Sequence, residues 1–284
     1  MGQPSESGLV DVGAGVHWFV RAQPARSETA PTIVALHGFA GSGPDFSLLF
    51  SEIDAHWVCP DVLGHGESDA PEGADAYSMP RVSSQLARLL ASHVRGPYLL
   101  MGYSMGARLA LSSLVGELEQ DTPRPCPQGL ILIGGRPGLA DPTDRAARRA
   151  ADELLADQIE SNGMEWFGDY WADLPILATQ RNIAPSHRAQ MSVRRRAQRA
   201  CGLAGSLRGM GAGAMPSLWD VLPQLEVPTT LVTGDLDPKF SQIADEMAAR
   251  MPRAEVVQLS GGGHTAHLER PSRFARLVGS ILRR

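Results

Sequence analysis

The chain has 284 residues, of which 43% are hydrophobic and 20% charged, an ordinary globular composition with room for one large α/β domain or a domain with an insertion. No apolar run approaches the roughly 18 residues of a membrane helix, and the polar start, Met1 to Gly8, lacks the cationic and apolar regions of a signal peptide, so a cytoplasmic protein without a membrane partner is expected. A net charge of −5 argues against nucleic acid, although Arg supplies 25 of the 26 basic residues and Lys239 is the sole lysine.

Leu9 to Ala22 reads as an antiparallel hairpin around Gly13-Ala14-Gly15, at the edge of a sheet. Thr32 to Leu36 is a continuous apolar run, as expected of a strand buried on both faces, and it ends in the glycine-rich loop His37 to Gly43. A helix over Asp45 to Ile53, a strand over His56 to Val62 and a one-sided helix over Pro80 to Val94 follow. Tyr98 to Arg108 then passes from an apolar strand through a small-residue turn into a helix, and Gly129 to Gly134 is another buried strand.

This alternation predicts a mostly parallel central sheet with helices on both faces. The rhythm breaks between Pro137 and Leu222, where only helical runs occur: Thr143 to Ser161, Gly163 to Trp171, His187 to Cys201 and Leu203 to Gly209. The expected organisation is a core in two parts, residues 1–136 and 223–284, with a helical cap over 137–222. Strands resume at Thr229 to Gly234 and Glu255 to Leu259, with helices over Gln242 to Met251 and Arg270 to Leu282. Cys59, Cys126 and Cys201, odd in number and widely spaced, suit neither a disulfide framework nor a zinc site and read as buried thiols.

Gly102-Tyr103-Ser104-Met105-Gly106 fits the G-x-S-x-G elbow, whose glycines leave room for a tight strand-to-helix turn that lifts the serine hydroxyl clear of the sheet. Two later loops follow strands and should reach the same sheet edge: Gly234 to Lys239, with Asp235 and Asp237, and Gly261-Gly262-Gly263-His264. The chain order Ser104, Asp237, His264 suits an acid that orients an imidazole, which in turn takes the serine proton; Asp235 competes as the acid. The backbone N–H groups of Phe39 and Met105 are the candidate oxyanion donors.

With these residues assembled, the chain resembles the α/β-hydrolase superfamily over nearly its whole length. Leu36 to Gly43, Pro60 to Ser68, Gly134 to Leu139, Ser206 to Gly211 and Asp237-Pro238-Lys239-Phe240 are similar to motifs of the 2-succinyl-6-hydroxy-2,4-cyclohexadiene-1-carboxylate synthases of menaquinone biosynthesis. The resemblance implies an α/β-hydrolase fold and a lyase without a metal or organic cofactor. Such an enzyme removes pyruvate from 2-succinyl-5-enolpyruvyl-6-hydroxy-3-cyclohexene-1-carboxylate, with Ser104 acting as a base. It further implies that Arg108, Arg148 and Arg195 bind substrate carboxylates, Arg195 being chosen by spacing among Arg194, Arg195 and Arg196, and that Tyr103 and Tyr170 contact the substrate. Ala107 stands where many members have Gly, and Arg136 is at a position expected to vary.

The residues give independent reason to expect an anionic partner, which the small polycarboxylate substrate that the resemblance implies would be. From Leu174 to Trp219 there is no Asp or Glu, yet there are seven Arg and His187. Arg binds carboxylate bidentately and stays charged at any relevant pH, although Arg194, Arg196 and Arg199 taken singly read as a solvated face. Two other functions share the same motifs: a serine hydrolase of an ester or carbon–carbon bond in an acidic substrate, with Ser104 as nucleophile, and a catalytically silent binding protein on this fold.

Overall fold

The computed structural model describes residues 6–118 and 126–283, with side chains assigned for 6–115 and 126–283; Met1 to Ser5, at the polar start, lie outside them. Among the described residues eight strands form one sheet: β1 (Gly8–Asp11), β2 (His17–Gln23), β3 (Thr32–Leu36), β4 (His56–Pro60), β5 (Tyr98–Tyr103), β6 (Gly129–Ile133), β7 (Thr229–Gly234) and β8 (Ala254–Leu259). Their order is β1-β2-β4-β3-β5-β6-β7-β8. The hairpin β1–β2 and the β2–β4 pair are antiparallel, and every other pair is parallel.

The helices are α1 (Ser47–Phe50), α2 (Met79–His93), α3 (Met105–Leu118), α4 (Pro142–Ala172), α5 (Pro185–Arg196), α6 (Ala200–Met210), α7 (Pro238–Ala248), α8 (Ala266–Glu269) and α9 (Pro271–Ile281). Side chains alternate between the faces of a strand, and here both faces are apolar. Val34 and Leu36 of β3 join Leu86 of α2, Leu109 of α3 and Met247 of α7 in one cluster. Ile33 and Ala35 of the same strand join Leu49 of α1 with Phe274 and Val278 of α9 in another. This two-sided burial is why the central strands read as unbroken apolar runs.

Strands β6 and β7 pair directly, from Leu130 with Thr229 to Ile133 with Val232, so all of residues 137–222 form a strandless insertion between neighbouring strands. Its own core joins Ala156, Ile159 and Phe167 of α4 to Leu203, Ala204 and Leu207 of α6, together with Ala40 from the loop after β3. The insert is therefore anchored on that loop.

Several elements differ from the sequence expectations. Residues 45–53 are not one helix, because Gly43-Pro44 starts a 3-10 turn that leaves only the four-residue α1. The two helices expected over 143–171 run together as α4, broken at Gly163, which has φ 77°. An eight-residue 3-10 segment, Pro175–Asn182, takes up part of the stretch read as connection. Helix α7 begins at Pro238 rather than Gln242, since Asp237 caps it and proline suits its first position. Of the cysteines only Cys59 is buried; Cys126 and Cys201 are exposed, so spacing alone misjudged two of three. Among the described residues, no helix is long and apolar enough to cross a membrane.

Candidate active site

Five loops at the carboxyl ends of parallel strands meet over one patch of the sheet, where α/β folds gather their ligands. They carry Phe39 after β3, Ser104 after β5, Arg136 after β6, Asp237 after β7 and His264 after β8. Ser104 has φ 50°, a left-handed conformation costly for a residue with a side chain and typical of a strained functional turn. The turn closes because its flanks are glycine: a Cβ on Gly106 would run into the carbonyl of Leu36, and one on Gly102 into that of Gly106. The Ser104 N–H is bonded to the Ile133 carbonyl at 2.8 Å, so the strained residue is also tied to β6.

The structure brings Ser104, His264 and Asp237 into one line. His264 Nδ1 lies 2.8 Å from Asp237 Oδ2, and Nε2 lies 3.1 Å from Ser104 Oγ. With the Nδ1 proton directed at the carboxylate, Nε2 is left to accept from the serine hydroxyl. Asp237 and His264 are 7% and 6% exposed, so the pair is largely shielded from water. Asp237 is held by its helix: Oδ1 accepts the Phe240 N–H at 3.3 Å while Oδ2 faces the imidazole. Asp235 points elsewhere, its Oδ1 accepting the Gly261 N–H at 2.7 Å.

Beside Ser104, Met105 opens α3, where the first N–H groups have no intrahelical acceptor. Phe39 follows a loop fixed by His37, whose Nε2 accepts the Val62 N–H at 2.9 Å and whose Nδ1 donates to Gly38 O at 2.8 Å. Both Phe39 and Met105 line a cavity of about 400 Å³ that also takes in Ser104 and His264. Tyr103 lines it too; its hydroxyl is 3.1 Å from Thr265 Oγ1, and burial raises its pKa well above the ordinary phenol value.

The cavity wall carries five cationic side chains, Arg108, Arg136, Arg148, Arg195 and Lys239, against two carboxylates, Asp45 and Asp152. Arg108 donates to the Met210 carbonyl; burial and the neighbouring Arg148 and Arg136 hold its pKa down to about 10, still charged at neutral pH. Arg148 Nε donates to Asp152 Oδ1 at 2.8 Å, one helical turn along α4. Burial pushes the Asp152 carboxyl above its usual range despite that partner. Arg195 is 7% exposed, its Nε has no hydrogen-bond partner among the described residues, and burial lowers its pKa. Tyr170, stacked on Trp166 at 5.2 Å, sits partly exposed on the same wall.

Of the residues put forward from the sequence for the site, Phe39, Tyr103, Ser104, Met105, Arg108, Arg148, Tyr170, Arg195 and His264 line the cavity and Asp237 lies behind His264, whereas the competing acid Asp235 does not reach it. Sequence reasoning missed Arg136, Lys239, Asp45 and Asp152. Arg136 could have been found from its place just after an apolar strand, like Ser104 and His264. Asp152 could have been found from its spacing of four from Arg148. Asp45 reaches the wall only through the fold of its loop.

A family model described as "Alpha/beta hydrolase family" matches residues 33–277. A Bacillus subtilis (strain 168) protein from the 2-succinyl-6-hydroxy-2,4-cyclohexadiene-1-carboxylate synthases is 34% identical over 96% of this chain and 97% of its own. The chain belongs to the α/β hydrolases and, within them, to this synthase family. The 2-succinyl-6-hydroxy-2,4-cyclohexadiene-1-carboxylate synthase of Serratia proteamaculans (strain 568) is 32% identical, covering 89% of this chain and 93% of its own. Among solved structures, MenH from S. aureus superposes with a TM-score of 0.85 at 29% identity, over 93% of this chain and 97% of that one. The eight-stranded, mostly parallel sheet is the α/β-hydrolase core of that family.

Proposed function

We propose that the chain is a lyase that eliminates pyruvate from 2-succinyl-5-enolpyruvyl-6-hydroxy-3-cyclohexene-1-carboxylate, giving 2-succinyl-6-hydroxy-2,4-cyclohexadiene-1-carboxylate. The observation that carries this reading is the pairing of a Ser104–His264–Asp237 line with a cavity wall rich in cations. The substrate bears three carboxylates and an acidic ring C–H beside a ketone. A fixed guanidinium cluster meets the first feature, and a hydrogen-bonded base meets the second.

In the proposed mechanism Ser104 Oγ takes the proton from the ring carbon that bears the succinyl group, as its own proton passes to His264 Nε2. Asp237 stabilises the imidazolium so formed. The developing ketone oxyanion is met by the N–H groups of Phe39 and Met105. The electron pair released then forms a new ring double bond, the existing one shifts by one position, and the carbon–oxygen bond to the enolpyruvyl group breaks. The leaving enolate takes the proton held on His264 and becomes pyruvate. No acyl-enzyme is formed, and no metal or organic cofactor takes part.

Arg108, Arg148 and Arg195 hold substrate carboxylates in this reading, and Tyr103 and Tyr170 contact the substrate. Residues 137–222 serve as the cap that supplies two of those arginines. The test is substitution of the proton-transfer groups: Ser104→Ala and His264→Ala should each lose on the order of 10³-fold or more in turnover, because members of such a unit fail together. Wild-type turnover by Ser104→Ala would overturn the mechanism.

A further inference from the structure

The loop that carries His264 hangs on a carboxylate outside the Ser104–His264–Asp237 line. Glu269, the last residue of α8, is 3% exposed. Its Oε2 accepts the N–H of Gly263 at 2.6 Å, and its Oε1 accepts the N–H of Thr265 at 3.3 Å. The residues on either side of His264 are therefore tied to one side chain. The Thr265 bond belongs to the local turn, but the Gly263 bond has no such origin.

A third donor reaches the same carboxylate from the insert. The Thr179 hydroxyl, in the 3-10 segment Pro175–Asn182, donates to Glu269 Oε1 at 2.8 Å. Thr179 lies so close on Gly263 that a Cβ there would strike its hydroxyl and both its side-chain carbons, so only glycine permits the approach. The next residue, Gln180, donates from Nε2 to Thr265 Oγ1 at 3.0 Å, the oxygen that also meets the Tyr103 hydroxyl. The Gly263 and Thr265 N–H groups and the Thr179 hydroxyl all meet Glu269 as an acceptor only, the arrangement a carboxylate satisfies and an amide cannot.

We propose that Glu269 is a positioning residue through which the seated 175–182 segment fixes the imidazole of His264. The inference rests on His264 being the base of the elimination proposed above. His264 follows three consecutive glycines, Gly261 with φ 76°, and such a run has little stiffness of its own. The carboxylate supplies it, and it does so in part through a contact that exists only while the insert lies on the core. A displacement of the base by about 1 Å costs up to about 100-fold in rate, so this support acts on turnover rather than on substrate affinity.

The experiment measures kcat and KM separately for pyruvate release by Glu269→Gln and Thr179→Val, with His264→Ala as reference and thermal midpoints as the check on folding. Glu269→Gln should lose about 10- to 100-fold in kcat with KM within about threefold of wild type. Thr179→Val, which removes one donor and keeps the shape, should lose about 3- to 10-fold in kcat, again at nearly constant KM. Should Glu269→Gln not fold, Thr179→Val decides. Folded variants with wild-type kcat beside an inactive His264→Ala would overturn the positioning role, as would a rise in KM alone. Retained turnover in His264→Ala would instead overturn the reading of the site on which it rests.

Discussion

Arg194 grips a single oxygen of Asp45, donating from Nε at 3.0 Å and from Nη2 at 2.7 Å, and so joins α5 of the insert to the turn after β3. Its neighbour Arg195 lines the cavity, while Arg196 pairs outward with Glu165 and Asp169. Three consecutive arginines thus have three different tasks.

Truncating Arg195 to Met should leave a substrate carboxylate without its charged partner in a partly desolvated site, at a cost of roughly 2 to 4 kcal/mol. That is about 30- to 1000-fold in kcat/KM. Arg196→Met should lose less than about threefold, as exposed ion pairs contribute little. Arg194→Met should fall between, because it leaves the Asp45 carboxylate unpaired on the cavity wall. Equal losses in steady-state assays of the three variants would contradict the assignment.

Burial first, and then Arg148 and Arg136, lower the pKa of Arg108; burial and then Arg148 lower that of Arg136. A bound carboxylate relieves that repulsion. Arg108→Met and Arg148→Met should each lose about 30- to 1000-fold in kcat/KM, and Arg136→Met about 10-fold, mainly in KM. Raising ionic strength should raise the wild-type KM, since attraction between the wall and a trianion is screened within about 10 Å at 0.1 M salt. A KM independent of salt, with Arg136→Met unchanged, would show that these charges do not bind substrate.

Asp237 faces His264, whereas Asp235 is occupied by the Gly261 backbone. Asp237→Asn should lose on the order of 10³-fold or more in kcat, because an amide favours the wrong tautomer of the imidazole. Asp235→Asn keeps an oxygen for the same N–H and should lose less than about threefold. Initial rates of the two variants distinguish them; the reverse order would exchange their roles.

Much of this was legible in the sequence, for reasons that differ from element to element. Thr32 to Leu36 announced a central strand because both faces of β3 are buried, and Ser104 announced the elbow because only glycine fits at Gly102 and Gly106. The choice between Asp235 and Asp237 was not decidable by spacing, since it depends on Asp237 capping α7 while its other oxygen turns to His264. Arg194 read as a solvated side chain because its partner Asp45 lies 149 residues away in the chain. Arg136 and Lys239 were overlooked for a similar reason: each is a single charge beside a strand or helix end, and only the closure of the insert over the sheet makes them part of one wall. Cys126 and Cys201 show the limit of composition, which says what a thiol does on average and nothing of where a loop leaves it.

The central claim is that this site performs an elimination with Ser104 as a base. The most direct measurement supplies the purified chain with the enolpyruvyl substrate and follows pyruvate, through a lactate dehydrogenase couple, alongside the ultraviolet absorbance of the cyclohexadiene. Pyruvate and diene should appear in equal amounts at equal rates, with the intact mass of the protein unchanged during turnover. Pyruvate absent above the uncatalysed blank, or an acyl-enzyme accumulating in place of the diene, would contradict it.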